Sequence, residues 1–344
     1  MAAGIIVHHQ KLSALLAVGI LLLPATQYPA TTWWSKPDLD REYVLSLDVE
    51  HYFGNIQKMR KHLETDRQIL WVTYYRNLYN ATHPSEINSP VSLSRNLLAW
   101  NQPGTNGLIL PVNPTASFLS ILFANELWFT LGDMTMAEHC AMLSMIFSPR
   151  NSGSRMIKRL AEINLVNGDD EAALKYLRIL DKTLLHKSWA EKRIPGQQTP
   201  RVKEWLEKKR RDIPTQDQLR SGNDAVTSLR NLVASNAGNL RAYEYLLCYH
   251  LLSKDLRSFV EDYVPGKVSS PIFAEALLIH LARQGNIRAE ELIKYQIPVE
   301  IAKEFADYTR LYEAKDTSLK EKYGKTYWFY YHFATTEPGK ESKP

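Results

Sequence analysis

The sequence is poor in the residues that build special chemistry. Two cysteines among 344 residues exclude a disulfide framework, and no Cys-x-x-Cys occurs to supply structural zinc or dithiol redox chemistry. Fifteen glycines are too few for a collagen-like or glycine-rich β chain. Neither sign of charge prevails. Forty-two Lys and Arg against 37 Asp and Glu leave a net charge of +5, which is too diffuse for a nucleic-acid surface. Only one apolar run approaches membrane-spanning length, so a polytopic membrane chain is excluded. There is no His-Glu-x-x-His, no Gly-x-Ser-x-Gly and no Gly-x-x-x-x-Gly-Lys. What remains is ordinary globular composition, 44% hydrophobic and 23% charged.

The one apolar run lies at the N-terminus. Leu12, Leu15, Leu16, Val18, Ile20, Leu21, Leu22 and Leu23 carry it, and Trp33 and Trp34 follow at the spacing of an interfacial aromatic belt. Three readings compete: a membrane anchor, a cleaved signal and a buried helix. The anchor is preferred, because no clean Ala-x-Ala follows Leu23. Lys11 before the run and Lys36 and Arg41 after it do not decide orientation. The expected address is a bacterial inner membrane with the helical part on the periplasmic side.

Beyond residue 35 the chain reads as successive helices. Ala173, Tyr176, Leu177, Leu180 and Leu184 form a stripe of 3.6-residue period, expected as one helix from Glu171 to Leu185. Leu240, Tyr243, Leu246, Leu247 and Leu251 repeat the pattern, and Phe273 to Ala282 is almost wholly apolar. The stretch Thr326 to Phe333 has strand-like propensity instead. A unit recurs: an apolar helix, a turn with Gly132-Asp133, Gly168-Asp169, Lys254-Asp255 or Gly285-Asn286, then a helix opening near Ala137, Ala172 or Ala289. Glycine can take the left-handed conformation that ends the first helix, and Asp or Asn can cap the second.

Gly132, Ala137 and Pro149, with Ala161, Gly168 and Ala172, resemble the pattern of tetratricopeptide repeats. Asn96 to Trp100, the Gly132 and Gly168 units, Lys175 to Leu184 and Trp189-Ala190 resemble an uncharacterised Bacteroidetes family. That resemblance covers about residues 40 to 330. It implies membrane attachment followed by tetratricopeptide-like helices, and it implies no activity. Members of that family carry several N-terminal helices where this chain has one candidate, which fits a fragment of a longer membrane protein.

The expected organisation is all-α, an α/α superhelix of helix pairs behind an anchor. Residues 1–35 form the anchor or signal, 36–192 one repeat block, 193–214 a Pro-bounded basic connection, 215–334 a second block and 335–344 a disordered tail. The densest charge is Lys208, Lys209, Arg210 and Arg211, which follow Trp205-Leu206. These four residues suit either anionic lipid or a solvated helix end. Trp71, Tyr75 and Tyr79 share one helical face and are read as packing. His139-Cys140, His250 and the Asp48, Glu50, His51 group are read as helix residues, not metal or acid–base sites. No cofactor, metal or nucleic acid is expected.

The function expected is a membrane-tethered interaction or scaffold protein that holds an unknown protein or peptide. Asn125, Trp128, Asn164 and Tyr245 are the nominated contact positions on first helices, and Gly132, Gly168 and Gly285 the turn positions. The rival reading is an enzyme, or an accessory subunit of an envelope complex, with its site in the Pro-rich stretch 82–114.

Overall fold

A computed structural model of the chain describes residues 39–64, 72, 74–76, 78–79, 118–147, 153–216 and 225–334. The N-terminal apolar run, Trp71 and the stretch 82–114 lie outside the described residues. The chain divides into a unit of residues 1–55 and a unit of residues 56–344. In the first, α1 is Leu39–Phe53, with Val44 and Leu47 buried. Asp48, Glu50 and His51 lie within about one turn near the end of α1, as helix residues.

The described part of the second unit begins with α2 (Ile56–Leu63). Four longer helices come next: α3 (Phe118–Leu131), α4 (Met134–Phe147), α5 (Ser154–Asn167) and α6 (Asp170–Asp181). Then come α7 (Lys187–Glu191), α8 (Pro200–Arg210), α9 (Ala225–Ser235), α10 (Leu240–Leu252), α11 (Leu256–Asp262) and α12 (Pro271–Arg283). The last are α13 (Ala289–Lys294), α14 (Val299–Glu313), α15 (Leu319–Tyr323) and α16 (Tyr327–Phe333). No strand occurs among the described residues. Elements adjacent in sequence pack together: α3 on α4, α4 on α5, α5 on α6, α9 on α10 and α10 on α11. Tyr75 and Tyr79 are buried, in keeping with the packing expected of their shared face, and Tyr74 beside them is buried too.

The turns explain the pairing. Gly132, Gly168 and Gly285 have φ of 93°, 82° and 63°, and Lys254 takes the same left-handed place with φ 57°. Two further non-glycine residues share it, Gln296 at 53° and Lys315 at 52°. Behind each, the next residue's N–H returns to a carbonyl five positions back: Asp169 to Asn164, Asp255 to His250, Asn286 to Leu281, Ile297 to Leu292 and Asp316 to Leu311, all at 2.8–3.0 Å. At three of the turns an acidic residue then caps the next helix. Met136 N donates to Asp133 Oδ1 at 2.8 Å, Ala172 N to Asp169 Oδ1 at 2.9 Å and Ser258 N to Asp255 Oδ1 at 3.0 Å. One short sequence thus ends a helix and starts another, so adjacent helices fold back on each other.

Three expectations need correction. The helix expected to reach Leu185 stops at Asp181, because Thr183 Oγ1 donates to Leu180 O at 2.7 Å and accepts from His186 N at 3.2 Å. Leu184 therefore leaves the apolar stripe and stands exposed. The strand-like stretch is the helix α16, since Thr326 caps it and Tyr327, Trp328 and Tyr330 bury one side. The pair beginning at Ala289 is atypical: α13 buries no residue and lacks a side-chain cap. Residues 193–214 lie within the second unit, where α8 packs on α5.

Among the described residues no helix is long and apolar enough to cross a membrane.

The turn geometry separates three substitutions. A Cβ on Gly132 would sit 2.2 Å from Asp212 O, whereas none lies near Gly168. Gly132→Ala should cost about 3 kcal/mol or more, from backbone strain plus overlap. Gly168→Ala should cost about 1 kcal/mol from strain alone. Lys315→Gly removes the strain at an exposed side chain and should stabilise by about 1 kcal/mol. Urea unfolding of the three variants checks the order.

Candidate functional site

The described polar side chains converge most densely at the C-terminal ends of α3 and α5. Helix α3 reads FLSILFANELWFTL and carries one charge, Glu126. Every residue from Ala124 to Leu131 is buried. A helix enclosed in this way leaves its last four carbonyls without water, so other donors must come to them. They do. Asp133 N donates to Trp128 O at 3.0 Å. Lys209 Nζ lies 3.5 Å from Phe129 O, Arg241 Nη1 donates to Thr130 O at 2.9 Å, and Asn239 Nδ2 to Leu131 O at 2.7 Å. Helix α5 is closed likewise: Arg210 Nη2 donates to Leu165 O at 2.7 Å and its Nε to Val166 O at 3.0 Å. Cations at these ends also meet the negative pole of each helix.

The basic run of α8 is thereby accounted for residue by residue. Lys209 and Arg210 serve the ends of α3 and α5, Lys208 Nζ pairs with Glu204 at 2.7 Å, and Arg211 is exposed. The run does not present four free charges to lipid, because Lys209 turns inward and Arg210, though exposed, is bonded to two helix carbonyls. Trp205 stacks on Phe129 with ring centroids 6.3 Å apart, and Arg159 Cζ and Lys209 Nζ lie 3.9 and 4.6 Å from the centre of the Phe129 ring. Burial, followed by the nearby Arg241 and Arg159 charges, lowers the Lys209 ammonium from 10.5 to about 8. Asp212 and Glu162 act in the opposite direction.

Glu126 anchors the other side of the cluster. It is 7% exposed and pairs with Arg155 at 3.2 Å and with Arg159. Arg159 also binds Glu162 at 2.8 Å and donates from Nε to Asn125 Oδ1 at 3.1 Å. This is a closed ionic network in which each carboxylate meets a guanidinium. Across the cluster, Asn239 is wholly buried. Its Nδ2 also donates to Asp212 O at 2.7 Å, and its Oδ1 accepts from Ala242 N at 2.9 Å. Asp212 Oδ2 in turn accepts from Arg241 at 3.0 Å.

The nominated contact residues are not on the surface. Asn125, Trp128, Asn164 and Tyr245 are all buried. Asn125 belongs to the ionic network, and Asn164 Nδ2 donates to Leu160 O one turn back at 2.7 Å. Burial raises the Tyr245 hydroxyl far above its ordinary value. The expectation failed because α3, α5 and α10 are enclosed on most sides, whereas α4 and α6 keep an exposed face. Network members Glu126, Arg159, Asn239 and Arg241 were missed. The signal available was one charge in an otherwise uncharged helix.

A second polar group lies at α10 and α11. His250 Nε2 is 2.8 Å from Asp262 Oδ2, which also accepts from Arg230 Nε at 3.0 Å. Tyr243 donates to Asp262 O at 2.9 Å and accepts from Val264 N at 2.7 Å. His250 is buried and satisfied, as read from sequence. Both cysteines are buried and neither forms a disulfide, and burial raises Cys248 well above its ordinary value. Among the described residues no group of three or more His, Cys, Asp and Glu could hold a metal ion.

The closed helix ends lead to two expected outcomes. Asn239→Ala strips donors from the buried carbonyl of Leu131 and the part-buried carbonyl of Asp212, and should cost about 3 kcal/mol by urea denaturation. Lys209 is protonated in the unfolded chain up to about pH 10.5 but in the folded chain only up to about 8. Between those values the unfolded state binds the extra proton, so this lysine's contribution makes stability rise with pH. Wild type should therefore gain stability relative to Lys209→Met from pH 8 to 10, measured as a difference at each pH. A constant difference would refute the shift.

No curated protein and no solved structure matches the chain. Residues 3–334, nearly its whole length, match a family of unknown function (DUF6057), and the chain belongs to that family.

Proposed function

We propose that the chain is a helical interaction protein held at a membrane by its N-terminal apolar run. The observation that carries this is how the polar groups at the best-built cluster are used. Lys209, Arg210, Asn239 and Arg241 face helix carbonyls, and Glu126 faces two arginines. Most of their hydrogen-bonding capacity goes into holding helices in place, as a binding scaffold requires. Helices joined by the recurring turn, such as α3 with α4 and α5 with α6, leave an exposed face on the second member that suits partner contact. Leu12 to Leu23, followed by Trp33 and Trp34, suits the tether.

Affinity capture of the full chain from native membranes in mild detergent tests the proposal. A protein that returns reproducibly, and that captures this chain in the reciprocal experiment, is the expected outcome. Recovery of no partner above an untagged control in either direction would count against it.

A further inference from the structure

The turn between α6 and α7 holds the most exposed pair of large apolar side chains among the described residues. Leu184 is 97% exposed and Leu185 is 85% exposed. Exposed leucines are ordinary when single and on loose chain. Here two are adjacent, and the backbone beneath them is tied down. Thr183 N donates to Leu180 O at 2.9 Å, Lys187 N to Thr183 O at 3.2 Å and Ala190 N to His186 O at 2.9 Å. With the Thr183 hydroxyl bonded on both sides, the turn is a short brace that holds the two leucines away from the core. Folding therefore keeps in water apolar surface that an unbraced helix would have left on the stripe of Ala173, Leu177 and Leu180.

The surroundings say what covers it. Lys182 and Lys187 bracket the leucines, and both are exposed. Trp189, half-buried on α7, packs its ring on the cluster of Ile157, Ala161, Leu177, Leu180 and Ala190. Lys158 Nζ lies 5.2 Å and Arg193 Cζ 4.1 Å from the centre of that ring. Against these cations stand Asp181 and Glu191, so the rim is positive but not uniformly so. An apolar tip, an indole set back from it and lysines whose stems can stretch toward phosphate form the pattern that suits a bilayer interface. A purely hydrophobic protein groove would accept the leucines but would gain nothing from the lysines.

We propose that the Leu184–Leu185 turn inserts into the headgroup region of an anionic phospholipid bilayer, with Lys182 and Lys187 against the lipid phosphates. This deepens the membrane part of the function proposed above and rests on it. The turn sets a second point of contact besides the N-terminal run, and so fixes which face of the helices meets the membrane.

The test uses the full chain carrying Leu184→Cys labelled with nitrobenzoxadiazole. Cys140 and Cys248 are buried, so labelling of the folded chain is directed to position 184. The labelled chain is mixed with vesicles of phosphatidylcholine, or of phosphatidylcholine with phosphatidylglycerol. Blue-shifted emission, quenched by spin-labelled lipid and present with the anionic vesicles, is the expected result. In the labelled Lys182→Glu, Lys187→Glu chain the apparent affinity should fall by about fivefold per lysine, with circular dichroism unchanged. An unshifted probe on chain that floats with the vesicles, or no flotation at all, overturns the proposal. So does an equal response to neutral vesicles. A shift that grows with protein concentration in the absence of lipid would assign the turn to a second copy of the chain instead. Because the probe reads position 184 alone, its failure leaves partner capture through other surfaces standing.

Discussion

A helix enclosed by its neighbours cannot hand its terminal carbonyls to water, and this constraint organises the described part of the second unit. The end of α3 draws Lys209 from α8 and Asn239 and Arg241 from the start of α10. The end of α5 draws Arg210. The end of α10 draws two tyrosine hydroxyls from α16: Tyr327 OH donates to Leu251 O and Tyr330 OH to Leu252 O, both at 2.8 Å. In each case a segment distant in sequence is fastened at a helix terminus. The donor's own position is then set by the helix it serves, which is why residues 193–214 are part of the packing.

Buried carboxylates do the complementary work. Glu126 in α3 gathers Arg155 and Arg159 from α5. Glu275, 5% exposed in the apolar helix α12, accepts from Tyr327 N at the start of α16, while Trp328 Nε1 donates to Glu275 O at 3.0 Å. A negative charge at the first turn of a helix meets its positive pole. Positive groups at helix ends and negative groups at helix starts or against guanidinium orient the elements that area burial alone would leave free to slide. The aromatic residues near the C-terminus are ordered by the same contacts. Trp328 is locked by Glu275, and Phe305, Tyr308 and Tyr323 close around it with ring centroids 5.3–5.9 Å away.

Much of the local structure could be read from the residues. Gly132-Asp133, Gly168-Asp169 and Lys254-Asp255 name their own turns, because a left-handed residue followed by a capping carboxylate is a short-range device. The Lys254 turn shows that glycine favours this conformation but is not required for it: burial of the helices on either side outweighs roughly 1–2 kcal/mol of strain. The stripe from Ala173 to Leu180 was legible for the same short-range reason. The exit of Leu184 from that stripe was not, since a single threonine hydroxyl diverted the chain against its hydrophobic period. Nor was the helix at Tyr327–Phe333, where Thr326 and Glu275 override aromatic strand propensity.

The sequence by itself determined helix class, the hairpin turns, the scarcity of cysteine and the presence of an apolar N-terminal run. Each depends on neighbours within a few positions. Only the tertiary structure decided which helices are enclosed. It therefore decided that Asn125, Trp128, Asn164 and Tyr245 lie inside, that Lys209 turns inward and Arg210 is spent on the end of α5, and that Leu184 and Leu185 stand out. Exposure is a property of how many elements surround a helix, and that number is settled by contacts spanning a hundred residues, as between Asn239 and Leu131.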